Sequence, residues 1–381
     1  MAKPKIIIIG GGLAGLTSSI LLSKSGFEVT LIERKKYPFH RVCGEYVSNE
    51  VLPLLKSLAI FPEEIGASQI SQLKVSSVNG NLLNANLDLG GFGLSRYQMD
   101  FLLYEKSKSY GTNFILETKV NEVIFKDEKF FVSLTNHQPL EADLVIGSFG
   151  KRSNLDQKLN RKFFYQRSPY LGVKYHIKTD FPKNTIQLDN FEGGYCGINK
   201  IEDDLFCLCY LTKNDQLKRY GSIPEMEKNV LYKNPHLKHI FENSEFVWDK
   251  PETINEISFE RKSIIENHIL MSGDSAGMIA PLCGNGMAMA IRSAKILSDV
   301  IIKHASQNIL GNIRANLEKE YTQIWKQNFA NRLFIGRTLQ RLFGSSRLSN
   351  IAVGTLDKLP TLNAFLIGKT HGMKMDHKGT S

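Results

Sequence analysis

The run Lys5-Ile6-Ile7-Ile8-Ile9 passes straight into Gly10-Gly11-Gly12-Leu13-Ala14-Gly15. An aliphatic run this short, closed by glycines, predicts a strand buried on both faces. Leu13 to Ser25 predicts a helix that Gly26 stops, and Phe27 to Ile32 a second buried strand. The glycines fall at G-x-G-x-x-G spacing between strand and helix. Gly10 allows the tight turn, Gly12 lets backbone approach a pyrophosphate, and Gly15 lets the helix lie close to the strand. Leu13 and Ala14 open the helix, whose first-turn amides and dipole favour phosphate there by ~0.3–2 kcal/mol. Glu33 ends the second strand, where a carboxylate can accept the ribose hydroxyls of an adenosine and would repel a 2′-phosphate. Lys3 and Lys5 before the isoleucines imitate a secretion signal, but the glycine spacing fits a nucleotide loop better.

Beyond this opening, Asn49–Leu58 and Tyr97–Tyr110 predict helices on either side of a strand-rich stretch at 70–95. Strands are expected near 113–116, 119–126, 130–135 and 143–147, then at 184–188, 194–198 and 205–211, with a short helix near 225–232. A strand at 269–271 and a helix at 285–303 return to the pattern of the opening, and 312–381 looks mostly helical. The expected architecture is therefore α/β: a Rossmann-type domain made of 1–69, 96–165 and 256–305, an inserted mixed or antiparallel β-sheet substrate domain made of 70–95 and 166–255, and a helical C-terminal region, 306–381.

Lys plus Arg outnumber Asp plus Glu by 48 to 38, giving a net charge of +10. The basic residues are dispersed, with no basic–aromatic motif, so an ordinary basic surface is expected and no nucleic-acid partner. The five cysteines form no C-x-x-C pair, which argues for a reducing, cytoplasmic compartment and against a zinc site or disulfide framework. His236 and His239 lie at helical spacing without a third ligand, and no metal is expected there. No apolar run is long enough for a transmembrane helix.

Four segments together resemble the flavoprotein family of p-hydroxybenzoate-hydroxylase fold, and within it the geranylgeranyl-reductase-like branch, over residues 5 to about 300. They are the fingerprint through Glu33-Arg34; Arg41-Val42-Cys43-Gly44-Glu45; Ser95-Arg96-Tyr97-Gln98-Met99-Asp100; and Gly273-Asp274-Ser275-Ala276-Gly277 continuing through Pro281 to Gly284-Asn285-Gly286-Met287. The resemblance implies FAD. It places Arg41 and Cys43 beside the flavin ring, Arg96 at the pyrophosphate, Asp274 on the ribityl chain, and Gly284, Gly286 and Met287 at the pyrimidine edge, and adds Arg34 and Val120 to the cofactor contacts. Cys43, as the candidate catalytic residue, either donates a proton or touches the flavin; as a small buried residue it would only fill space. Asp274 could also be a plain helix cap.

One departure matters. After the strand at 143–147 the family has Asp-Gly, and this chain has Phe149-Gly150. That weakens direct docking of NADPH, leaving NADH or NADPH as a candidate transient electron donor. The W-x-W-x-I-P motif of halogenating members is absent, since the two tryptophans, Trp248 and Trp325, lie far apart. The resemblance then implies an FAD-dependent reductase or dehydrogenase acting on carbon–carbon bonds of a lipophilic, isoprenoid or polyketide-like substrate. A monooxygenase hydroxylating an aromatic or polyketide substrate is the alternative. An electron-transfer flavoprotein serving a quinone or partner protein is the third. In segment 325–347, apolar Phe329, Leu333, Phe334, Leu339, Leu342 and Phe343 alternate with Arg332, Arg337, Arg341 and Arg347. This helix either packs on the catalytic domain or lies on an anionic membrane.

Overall fold

The computed structural model describes residues 3–166, 168–255, 257–279, 284–304, 310–342, 349–350 and 353–354. Lys5–Ile9 lies at the centre of a six-stranded sheet, parallel to Glu28–Ile32 on one side and Leu144–Gly147 on the other. Asn113–Ile115 extends the first side, and Ile269–Met271 followed by antiparallel Ile265–Glu266 the second. Ile6, Ile7, Ile8 and Ile9 are all buried, as an aliphatic strand covered on both faces requires. Helix Leu13–Lys24 packs between helices Arg96–Ser109 and Gly286–His304. Its small residues Thr17, Ser18 and Ser19 are buried, and Ser19 Oγ meets Ser107 Oγ at 2.6 Å.

The second sheet runs, in order, Glu245–Phe246, Tyr170–Lys178, Phe206–Lys213, Gly194–Lys200, Thr185–Phe191, Ser68–Ser76, Leu82–Gly93 and Tyr46–Ser48, with Glu252–Asn255 also pairing to Tyr170–Lys178. It is mixed: Thr185–Phe191 pairs parallel with Ser68–Ser76, and the other pairings are antiparallel. Tyr46–Ser48, in a stretch where the sequence pattern shows no strand, pairs antiparallel with Leu82–Gly93. The segment leaves the nucleotide-binding part to add an edge strand here. Tyr170–Lys178 is a further strand that the sequence pattern did not single out. Leu171, Val173, Tyr175 and Ile177 face an outer layer where Met226, Val230, Leu237, Ile240 and Phe241 are buried. Gly172, Lys174 and His176 point the other way, and a strand carrying lysine and histidine on one buried face lacks the usual apolar signature. The expected helix near 225–232 is Ile223–Val230, accompanied by Asn214–Tyr220 and Pro235–Glu242. Val120–Lys126, Lys129–Leu134 and Leu140–Ala142 form a separate small sheet.

Helix Asn312–Leu342 lies against the six-stranded unit. Leu317, Tyr321, Trp325, Phe329 and Leu333, four apart, are all buried. Tyr321 donates to the Met271 carbonyl at 2.6 Å. Buried Glu50 accepts from Arg332 at 2.9 Å and from Arg292 at 3.3 Å. Phe329 and Leu333 of the apolar stripe in 325–347 are therefore core packing, with Arg332 tied down as an ion-pair partner. Phe334 remains 61% exposed. The side chains of Leu339, Arg341 and Leu342, and residues Phe343 and Arg347, lie outside the described part. Among the described residues no helix is long and apolar enough to cross a membrane.

Candidate cofactor and active site

At Gly10, φ is +100° and a Cβ would meet the Ser148 carbonyl at 2.5 Å; at Gly15 a Cβ would strike the Gly10 carbonyl at 2.0 Å. Both positions need glycine on steric grounds. Gly12 differs, since a Cβ there would meet only Arg96 Nη2, at 3.8 Å. The space beside Gly12 is a cradle, walled by the guanidinium that the resemblance assigns to the pyrophosphate. Buried Leu13 and Ala14 begin the helix at this cradle, where the first-turn amides have no intrahelical partners. Arg96 is held in place by a two-pronged pair with Asp100, 2.7 Å on each prong.

Glu33 is buried at the end of its strand. Its Oε2 accepts from the Gly11 amide at 2.8 Å and from Arg41 at 3.3 Å, and its Oε1 from the Lys35 amide at 3.1 Å. A carboxylate has roughly four acceptor directions, so one remains for a ribose hydroxyl. Arg41 bridges Glu33 and Asp100, the latter at 3.0 Å. Arg34 is exposed. Tyr37, which sequence reasoning missed, donates to the Gly11 carbonyl at 2.5 Å and fills the space where Gly11 has no side chain. Ser148, likewise missed, donates to the Gly10 carbonyl at 2.7 Å.

Asp274 is half-buried, and its carboxylate has no hydrogen-bond partner among the described residues. Burial pushes its pKa up, against the fields of Lys262, Lys151 and Arg96. It does not cap the short helix it belongs to, because Ser272 holds that position. Lys262 donates to the carbonyls of Lys151 at 2.7 Å and Asp274 at 2.8 Å, and burial lowers its pKa to about 8. Gly284, at φ +63°, lies against the Tyr46 ring, and Gly286 starts the helix that buries Met287. Cys43 is half-buried, and burial raises its thiol pKa, which disfavours the thiolate while leaving the thiol a proton donor. Cys207 on the large sheet donates to the Cys43 carbonyl at 3.3 Å. Gly172 leaves room for Val42. The four segments thus face one another: Gly12 meets Arg96, Gly284 meets Tyr46, and the inserted sheet backs the Cys43 loop. Val120 begins its strand two residues after Thr118, whose amide donates to the Glu33 carbonyl at 3.2 Å, and its own carbonyl accepts from Asn154 at 3.2 Å. Phe149 packs half-buried against the core, where the family's Asp would stand.

These features fit FAD. An open glycine cradle faces a fixed arginine, a strand-end carboxylate keeps an acceptor free, and a half-buried carboxylate lacks a partner. His236 is half-buried, and its Nε2 bonds the Gly80 carbonyl at 2.9 Å. One cluster escaped sequence reasoning altogether. Ligand atoms of Glu45, His176 and Cys207 lie within 4.8 Å of one another, but Lys174 Nζ already sits 2.5 Å from Glu45 and supplies the cation.

The family model described as FAD binding domain matches residues 3–311. The 6-hydroxy-3-succinoylpyridine 3-monooxygenase HspB of Pseudomonas putida is 24% identical, over 84% of this chain and 86% of its own. The flavin-dependent brominase Bmp2 superposes with a TM-score of 0.78 at 19% identity, covering 97% of this chain and 94% of the other. A geranylgeranyl bacteriochlorophyll reductase-like protein from Thermoplasma acidophilum does so at 0.76 and 17%, covering 98% and 94%.

Proposed function

This chain belongs to the FAD-binding-domain family and is an FAD-dependent oxidoreductase, and from that premise we propose that it reduces or dehydrogenates carbon–carbon bonds of a lipophilic substrate. The observation carrying this reading is the inner face of the large sheet. Tyr195 and Leu211 pack there with Ile257, and Leu188, Ile254, Phe259 and Met278 border them. Met278 follows the Asp274 loop directly, so this apolar floor adjoins the cofactor site. An apolar floor suits an apolar chain, whose burial contributes about 25 cal/mol per Å². Phe149 adds support, since no carboxylate stands there to organise a nicotinamide cofactor.

In this reading Arg96 and the Leu13 helix hold the pyrophosphate, Glu33 the ribose, Asp274 the ribityl chain, and the amides at Gly286 the pyrimidine edge. Bound FAD supplies two-electron chemistry. The protein excludes water with its apolar floor and orients the substrate above it. Peripheral contact with a membrane would bring such a substrate within reach. Flavin reduction by NADH and by NADPH, followed by product analysis of a polyprenyl probe with and without O₂, tests the proposal. A saturated or desaturated product formed without O₂ supports it. An oxygenated product formed only with O₂ replaces it with the monooxygenase reading, which the name of the Pseudomonas relative favours. Electron passage to a quinone with the probe unchanged replaces it with electron transfer.

A further inference from the structure

Beside the apolar floor, the burial of the large sheet is interrupted. Leu188, Gly197 and Cys209 stand opposite one another on adjacent strands, so they share the inner face. Each is half-exposed, while every other residue of Thr185–Phe191 and of Gly194–Lys200, and every other residue from Phe206 to Thr212, is buried. Neighbouring strands lie about 4.8 Å apart, so the three positions form a well about 10 Å across. Gly197 and Cys209 are the next inward positions to Tyr195 and Leu211, and the well therefore continues the floor directly.

The row is closed at both ends. Beyond Leu188 comes Val75, which packs with Leu83 and Val353. Beyond Cys209 comes Lys174, fully buried against Glu45. The rim belongs to the two loops assigned to the flavin. Val42 of the Cys43 loop lies against Gly172, which stands opposite Leu211. Met278, just after the Asp274 loop, borders the same floor as Leu188. The well is also uncharged, since Glu45 cancels the Lys174 ammonium and burial pushes the Cys209 thiol up to about 12. A neutral, apolar group suits it.

Gly197 gives the well its depth. Glycine inside a strand costs backbone entropy and side-chain packing, and it marks a bend or a place where another backbone or a ligand comes close. Backbone geometry does not require it here, because the register is regular on both sides of Gly197. Crowding does not require it either. A Cβ there would meet Leu188 Cδ2 at 3.4 Å and the carbonyls of Cys209 and Gln187 at 3.8 and 4.0 Å, which are ordinary contacts. Gly172 and Gly194 differ. Ile254 and Ile257 come within 3.2 Å of a Cβ at Gly172, and one at Gly194 would strike the Leu211 carbonyl at 2.0 Å. Among the described residues no segment from outside the sheet approaches Gly197 that closely. We propose that Gly197 is a specificity-determining residue, and that the well it deepens takes one branched or ring unit of the substrate; this rests on the reading that the substrate lies between the flavin and the inner face of the sheet. Leu188 and the Cys209 thiol flank that unit, and the remainder of the substrate extends toward Tyr195 and Leu211.

The test titrates FAD-loaded wild type, Gly197→Ala and Gly197→Val with farnesol, a branched probe, and with 2-naphthol, a ring probe, following flavin absorbance. FAD content and melting temperature are read on the same samples. Gly197→Val is expected to weaken the probe that wild type binds by about tenfold or more, and Gly197→Ala by less, with FAD content and melting temperature kept. Equal affinity in all three proteins overturns the inference and leaves the functional reading intact. Binding of 2-naphthol alone, weakened in the variants, supports the well and removes the reading of a lipophilic chain. Wild type that binds neither probe overturns the inference. If Gly197→Val does not fold, Cys209→Met fills the well from the neighbouring strand and is read in the same way.

Discussion

A side chain at position 12 would occupy the gap between the first helix and Arg96, and that gap is where a pyrophosphate must pass. Gly12→Val is therefore expected to give folded, colourless protein, with circular dichroism unchanged and no FAD released on denaturation. Normal FAD content in that variant would sink the assignment of the cradle. Asp274 makes the complementary case. Its carboxylate bonds nothing in the described protein, so Asp274→Ala should hardly touch stability. Loss of its hydrogen bonds to the cofactor should cost ~1–3 kcal/mol, one to two decades in FAD affinity. Titration of apoprotein with FAD, set beside a melting curve, separates the outcomes. A lower melting temperature with unchanged affinity would make Asp274 structural.

Helix Ile223–Val230 packs on the outer face of the large sheet and carries a buried acid with no cation beside it. Glu227 Oε1 accepts from Tyr210 at 2.8 Å and Tyr175 at 3.0 Å. Burial outweighs these bonds and moves its pKa from 4.5 to about 7. The folded protein thus keeps this proton up to about pH 7, while the unfolded chain releases it above 4.5. The stabilisation is complete below 4.5 and is lost as the pH rises through 7, by about 3 kcal/mol in total. Denaturant unfolding across that range should show wild type losing stability relative to Glu227→Gln as pH rises. Parallel pH profiles would rule the helix–sheet contact out as the source.

For the whole molecule, the C-terminal helix is expected to meet an anionic membrane as well as the core. Its inner stripe is spent on the core, yet Phe334 projects outward and Arg337 lies one turn further on. Co-sedimentation with anionic liposomes at low and high salt should show salt-sensitive binding that falls on Arg337→Glu combined with Arg341→Glu. Failure to bind at low salt would leave the helix as packing and turn attention to a water-soluble substrate.

The sequence by itself determined the nucleotide-binding opening, because a buried strand, three spaced glycines and a strand-end acid are local patterns with local physical causes. It also marked Arg96, Asp100 and Asp274 through short motifs. Tertiary structure alone decided what lies between those motifs. Tyr37, Ser148 and Glu45 reach their partners across the fold, at separations no periodicity encodes. Strand Tyr170–Lys178 stayed hidden because Lys174 and His176 occupy a buried face, which pays only when Glu45 arrives from another segment to balance the charge. The inward stripe of the last helix was visible as a pattern. That Phe329 and Leu333 of this stripe serve the core was decided by packing, which also brings Glu50 within reach of Arg332.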